Sequence, residues 1–551
     1  VAAVLALAAC GSSQTSATTV DPASAVPASA ALYAGADVRP SGAERSGALA
    51  AGKALTHQAN PYLRLLGALQ TPGSPQLRYA QDVAPWLGPH AGIFLTSLGA
   101  SASLGGLLQQ GLLGSSSSSL FPFGHGRAQG ALVLDTSDAT KARSFLDGQA
   151  KRAGAHSSSY HGVSFQLSSS GVAFALVHRL AVIGSEAGLR AVIDTTAGGA
   201  SLASSGGYAK LMRAAPAGAL AHLYSNPAAG GAHPSQAGTA GLLGLLAGMR
   251  QTNVSLVAKS GSLALDADTI ASASTPGGLI SADPEGVAAL GELPGDSWLA
   301  VGLGHVGASL SQDVQGLSAL VALAGSGSGG PAATSALDLK SLLSAMLAPL
   351  KVLGGTSAQA RRDFASWMGS AGIFASGASL LELKAAIVIS SKSPTASRAA
   401  VGKLAAQLQR AGGSLRQVQI ADTDAAVGVA LPGLPVVLDI ADGRAANGHT
   451  KFVLGFAEAS VSEALRPAST LAGAAPRAAA AAALGEGIQP SLMVDFPTLV
   501  SLLEGVGLTE DPSISKLAPF LRAATTLSAG GRGAAGEVER FRLVLGLHSG
   551  G

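Results

Sequence analysis

Two pairs of residues in this chain have types and spacing that could do chemistry. Asp82 and Trp86 lie four positions apart, as do Asp363 and Trp367, so a short helix would set each pair on one face. In a functional reading the four residues are ligand contacts in two pseudo-equivalent grooves. In a structural reading each Trp plugs a junction between helix end and strand, the Gly after it turns the chain, and the Asp caps or orients that turn. The structural reading is favoured, and the four residues are kept as the candidate ligand contacts. Gly302-x-Gly304-x-x-Gly307 follows a predicted strand and opens a helix, the context of a dinucleotide fingerprint. With 73 Gly in 551 residues, roughly one such pattern arises by chance, and a second runs from Gly325 to Gly330. No Asp or Glu stands about 20 residues on to bind a ribose. His156 and His161 flank a Ser-rich turn and share no helix face, so solvated turn residues are expected there and no metal. No nucleophile elbow, Walker loop, H-E-x-x-H or zinc-like Cys spacing is present. No catalytic residue and no cofactor is therefore assigned.

The single cysteine offers different chemistry. An apolar small-residue segment, VAAVLALAAC, runs into Cys10 and is followed by a polar Ser/Thr run from Ser12 to Thr19. Leu7-Ala8-Ala9-Cys10 resembles the bacterial lipobox. That resemblance implies a thiol modified with diacylglycerol and a signal peptide cut just before it. The alternative is a free cysteine in a buried helix, which the Ser/Thr run would continue poorly but would serve well as a tether. The absence of an initiator Met and of a basic leading segment implies a truncated or alternative start. With Cys10 lipidated no disulfide can form, and stability rests on packing. Two or three acyl chains would hold the protein on a bilayer, and no other apolar run reaches the roughly 18 residues of a span.

Composition narrows the classes further. Hydrophobic residues make up 47% but aromatics only 4%, so the core is built mainly from Ala, Val and Leu. The 35 basic and 32 acidic residues nearly balance. The pI of about 9.0 thus reflects a small surplus, not a basic patch, and nucleic-acid binding is excluded.

The elements that must position these residues occur twice. WLGPHAGIF from Trp86 returns as WMGSAGIF from Trp367, and GALVLDTSDATKARSFLDGQAKRAG is answered by KAAIVISSKSPTASRAAVGKLAAQLQRAGG. The order restarts near Gly291. The offset of about 281 residues at Trp86/Trp367 falls to about 255 at Val133/Val388, which places an insertion of roughly 25 residues in the first copy. This is the Gly/Ser/Leu-rich stretch of residues 99–130, with an apolar tip at Leu120 to Phe123. Asp138 is a predicted N-cap, Gly154 its helix stop, and residues 160–185 read as three antiparallel strands. A hairpin turns at Lys259-Ser260-Gly261, and Ala472 to Gly487 reads as an Ala-rich helix or linker.

The expected organisation is a signal peptide over 1–9, a lipidated Cys and tether over 10–25, a first repeat over 26–275 and a second over 276–551. The fold class is α+β, with two tandem pseudo-repeats, each a mainly antiparallel sheet with helices packed on one face.

The lipobox, the DPA…VPA…LY opening from Asp21 to Tyr33, the D-A-x-K-A helix start at Asp138 to Ala142, and VIGSEAGLRAVID from Val182 to Asp194 resemble domain-of-unknown-function family 3352. These are cell-envelope proteins, chiefly of high-GC Gram-positive bacteria. The resemblance implies an envelope location and transfers no catalytic residue. The expected protein is a non-enzymatic binding or scaffold protein on the outer face of the cytoplasmic membrane. Its partners would be that membrane, through the anchor, and an envelope protein or apolar ligand. A carrier of an apolar or lipid ligand and an envelope hydrolase are the alternatives.

Overall fold

The computed structural model describes residues 19–56, 78–97, 128–226, 229, 251–270, 283–309, 349–355, 357–379, 381–431, 437–505, 507, 509, 515, 517–533 and 538–548. Cys10 with its tether up to residue 18, the Ser-rich insertion up to residue 127 with its tip, and the Gly325–Gly330 pattern lie outside the described residues; residues 129 and 130, expected in the insertion, belong to a strand.

The chain divides into two compact units, Val1–Ala271 with Gly536–Val538 and Leu547–Gly551, and Ser272–Ala535 with Glu539–Gly546. The first unit carries β1 (Leu32–Asp37), β2 (Leu87–Ser97), β3 (Gln129–Thr136), β4 (His156–Tyr160) and β5 (Val163–Leu167). It continues with β6 (Val172–Val177), β7 (Leu180–Ser185), β8 (Ala221–Ser225), β9 (Thr252–Lys259) and β10 (Ser262–Ile270). These pair antiparallel in the order β4-β5-β6-β7-β3-β2-β1-β8-β9-β10.

The second unit carries β11 (Leu299–Leu303), β12 (Met368–Ser376), β13 (Lys384–Ser391), β14 (Ser414–Arg416) and β15 (Thr423–Ala430). β16 (Val437–Arg444), β17 (Thr450–Phe456), β18 (Gln489–Asp495), β19 (Ala524–Arg532) and β20 (Val538–Leu547) follow. Their order is β14-β15-β16-β17-β13-β12-β11-β18-β19-β20, the same pattern ten strands on.

The expected fold class needs two corrections. All 20 strands belong to one antiparallel sheet, not to two separate tandem sheets. Side-chain alternation marks a strand and its faces, but it carries no information about which backbone edges pair. The helices also do not keep to one face.

Strand β7 buries all of its side chains. Leu180 and Val182 pack with Leu189, Val192 and Ile193, which recur at helical spacing along one side of a helix at Glu186–Thr196. Ala181 and Ile183, pointing the other way, pack with Ala142 and Leu146 from a helix at Ala139–Arg152. In β17, Val453 meets Val461 and Leu465 of α3 (Glu458–Leu465). Phe452 and Leu454 meet Val401 and Leu404 of α2 (Pro394–Arg410), which follows α1 (Pro284–Gly291) in the second unit. The last helix bearing on the site is α4 (Ala475–Leu484). Strands covered on both faces read as continuous apolar runs, and LAVIGS and the FVLGF of β17 are such runs.

Local signals in the sequence act as their chemistry requires. The Asp138 carboxylate accepts from the N–H groups of Thr140 and Lys141 at 3.1 and 3.0 Å, and Gly154 ends that helix at φ +63°. Gly261 turns the β9–β10 hairpin at φ +80°.

Candidate functional site

Each of the four candidate contacts sits in a joint. Trp86 is 2% exposed and Trp367 is fully buried. Both follow a π-turn, at Tyr79–Val83 and Arg361–Ala365, and both indoles donate to the backbone carbonyl of their own Asp. The distances are 2.8 Å to Asp82 and 2.9 Å to Asp363. The rings pack on Phe145 and Phe452 at 5.0 and 5.1 Å. The Asp82 carboxylate accepts from the Arg78 N–H at 2.7 Å, and that of Asp363 from Lys403 at 2.5 Å and Gln359 at 2.6 Å. The Lys403 bond first, and then that of Gln359, holds the Asp363 carboxyl below its usual range. The aspartate and tryptophan of each pair thus meet through the backbone, with the indole buried in the core.

The Gly302–Gly307 pattern is also explained by packing. A Cβ on Gly302 would lie 1.9 Å from the Gly286 carbonyl of α1, and one on Gly304 1.8 Å from the Asp283 carboxylate. Asp283 caps α1 through the Glu285 N–H at 2.9 Å and lies 2.7 Å from His305 Nδ1. That hydrogen bond raises the His305 pKa. His161 sits in its turn at φ +48°, stacked on Tyr160 at 4.2 Å and 3.4 Å from Asp194. Among the described residues no three His, Cys, Asp or Glu side chains are placed to hold a metal ion.

Matched glycine pairs face one another across the first two strands of each unit, Gly35 with Gly92 and Gly302 with Gly372. Different groups use the space they leave. In the first unit the His222 ring lies over Gly35 and the Tyr33 ring over Gly92. His222 Nε2 and the Tyr208 hydroxyl are 3.1 Å apart, and Tyr208 meets Tyr224 edge-on at 5.2 Å. Burial lowers the His222 pKa to about 4, so the ring is neutral at pH 7. In the second unit the position matching Tyr33 is Ala300, and α1 lies over Gly302 instead.

Beside α1 the second unit keeps a pocket of about 310 Å³. One wall is α1 and its continuation, with Val287, Glu292 and Leu293; the floor is Gly372, Val388, Ser390 and Lys451 on β12, β13 and β17. Leu465 closes the end of α3, Asn447 stands in the β16–β17 turn, Ala472 lies in the short turn Leu471–Gly473, and Arg477 comes from the start of α4. The Lys451 side chain is 7% exposed and pairs with Glu292, whose side chain is 45% exposed. Its ammonium also donates to Ser390 Oγ at 3.0 Å. Arg477 has one long bond, from Nη1 to the Ala472 carbonyl at 3.4 Å, and its Nε is buried without a partner.

Sequence reasoning did not select Glu292, Lys451 or Arg477. Two weak signals were present: Lys451 interrupts an otherwise apolar strand, and Arg477 is the one charge in an alanine run. Asp439 and Asp442 on β16 are also fully buried, Asp439 with neither carboxylate oxygen partnered and Asp442 beside Ser397, and burial raises both pKa values. Standing three apart on a strand, they point to opposite faces and do not converge on one site.

The profile of a family described as "Protein of unknown function (DUF3352)" matches residues 2–452. No curated protein matches the chain. A solved structure, "Structure of crystal form I of TP0453", is similar over 47% of this chain and 82% of that one, at 10% identity and a TM-score of 0.26. That likeness is too slight to argue from.

Proposed function

The chain belongs to the DUF3352 family of proteins of unknown function, and from that premise we propose that it is a lipid-anchored, non-enzymatic binding protein of the cell envelope. Its ligand seat is the pocket of the second unit. The observation that carries this reading is that buried Lys451 and underused Arg477 line one pocket together with the apolar side chains of Val287, Leu293, Val388 and Leu465. Ligand sites characteristically combine mostly apolar walls with a few convergent polar groups. Catalysis is the weaker reading, because no histidine lines the pocket and its one carboxylate, Glu292, is engaged by Lys451. The cores are filled by Tyr33, Phe94, Phe374 and Phe452, which favours a small ligand over an enclosed lipid tail.

The anchor half of the reading rests on Leu7-Ala8-Ala9-Cys10. Expressed with a complete signal peptide, the protein should partition into the detergent phase of Triton X-114, and Cys10→Ser should move it to the aqueous phase. Unchanged partitioning of the variant would overturn the anchor. The binding half is tested by Ala446→Trp, a change at an exposed residue on the pocket's edge. It should abolish ligand binding while leaving the fold intact by circular dichroism; retained binding would move the seat elsewhere.

A further inference from the structure

We propose that the pocket of the second unit selects a small anionic amphiphile, a carboxylate or phosphate monoester bearing a short apolar group. Arg477 and Lys451 hold the head, and Glu292 is the counter-ion that the head displaces. The inference rests on the binding-protein reading above and adds the ligand's chemical class.

Arg477 supplies the first cation. A guanidinium carries five N–H donors in a planar fork that matches a carboxylate or phosphate edge. Here the buried Nε–H has no acceptor, the Nη1 bond to the Ala472 carbonyl is long at 3.4 Å, and among the described residues no carboxylate pairs with this side chain. A buried donor left unmade costs free energy that an incoming anion would recover.

Lys451 supplies the second cation. Its ammonium is almost fully buried, and its carboxylate partner is not. Glu292 stands at the C-cap of α1, where the helix dipole disfavours negative charge. Among the described residues its one other side-chain partner, Asn447 Nδ2, is 3.4 Å away. Glu292 can therefore swing towards water when a ligand anion takes its place between Lys451, Ser390 and Arg477. Two cations against one carboxylate leave the pocket with a surplus positive charge that selects against neutral and cationic heads.

The rest of the pocket sets the body of the ligand. Val287, Leu293, Val388 and Leu465 offer apolar surface, and about 310 Å³ lies at the small end of ligand cavities. The site is particular to one copy of the duplication. Ser390 and Lys451 face each other across β13 and β17, whereas the matched register position in the first unit pairs Asp135 with Leu180.

The test is isothermal titration of the full chain with four probes of one chain length: hexanoate, hexyl phosphate, hexan-1-ol and hexylammonium. Hexanoate or hexyl phosphate should bind at least about tenfold more tightly than the other two, and the stronger of them separates a carboxylate source from a phosphate source. Arg477→Gln and Lys451→Met should each weaken that binding about tenfold or more. Glu292→Gln should tighten it several-fold, a gain that misfolding cannot mimic. Equal affinity for hexan-1-ol, or weaker anion binding by Glu292→Gln, would overturn the anionic class. If such charge-blind binding were still lost in Ala446→Trp, the pocket would stand as the seat without that class. No binding by any of the four probes would overturn both.

Discussion

Replacing Trp367 separates a structural joint from a ligand contact. Burying a tryptophan removes about 150–250 Å² from water, worth about 4–6 kcal/mol at roughly 25 cal/mol per Å², and core Trp→Ala changes cost about 3–5 kcal/mol. Trp367 is fully buried in a core with Phe364, Leu404 and Phe452, so Trp367→Ala should fall in that range. Trp367→Phe keeps an aromatic ring but strips the Asp363 carbonyl of its 2.9 Å donor, a loss of about 1–3 kcal/mol. For a unit of this size, each kcal/mol moves Tm by about 2–4 °C. Differential scanning calorimetry should therefore show one transition falling by about 10 °C in Trp367→Ala and by a few degrees in Trp367→Phe. Affinity for hexanoate or hexyl phosphate in folded Trp367→Phe should be unchanged. A Trp367→Ala transition within 2 °C of wild type, or a Trp367→Phe protein of native stability that no longer binds, would refute the joint.

Two further predictions follow from buried contacts. His222 should titrate by NMR with a midpoint near 4, as its burial dictates. Because its folded pKa is depressed below the unfolded value of about 6.5, the unfolded chain binds the extra proton between those two values. The His222 contribution to stability therefore rises with pH from about 4 to 6.5 and is flat above, a slope that His222→Phe should remove; an ordinary midpoint near 6.5 would contradict the buried tyrosine–histidine cluster. Gly302→Ala drives a methyl to within 1.9 Å of the Gly286 carbonyl. It should lower stability by about 1–3 kcal/mol in thermal unfolding, whereas a neutral effect would mean that α1 does not pack on β11.

What was legible in the sequence was local or repeated. The Asp138 cap, the Gly154 stop and the Lys259–Gly261 hairpin depend on neighbours a few residues away. The two Trp turns could be aligned because the chain carries them twice. The continuity of the sheet was not legible, because edge pairing leaves no mark in side-chain alternation. Burial of both faces left its mark in the apolar runs LAVIGS and FVLGF, which the expectation of helices on one face did not take into account. The pocket was least legible. Glu292 and Lys451 meet across 159 positions, Arg477 arrives from an alanine run, and only the fold brings the three together. The four-residue Asp–Trp spacing pointed instead to two indoles that are buried in the core.

The most direct test of the pocket as the ligand seat is photolabelling with a hexanoate analogue carrying a diazirine, followed by peptide mass spectrometry. Label is expected on peptides spanning Val287–Leu293 and Ala445–Arg477, competed by hexanoate and absent from Ala446→Trp. Label confined to peptides outside the pocket, or undiminished in Ala446→Trp, would contradict it.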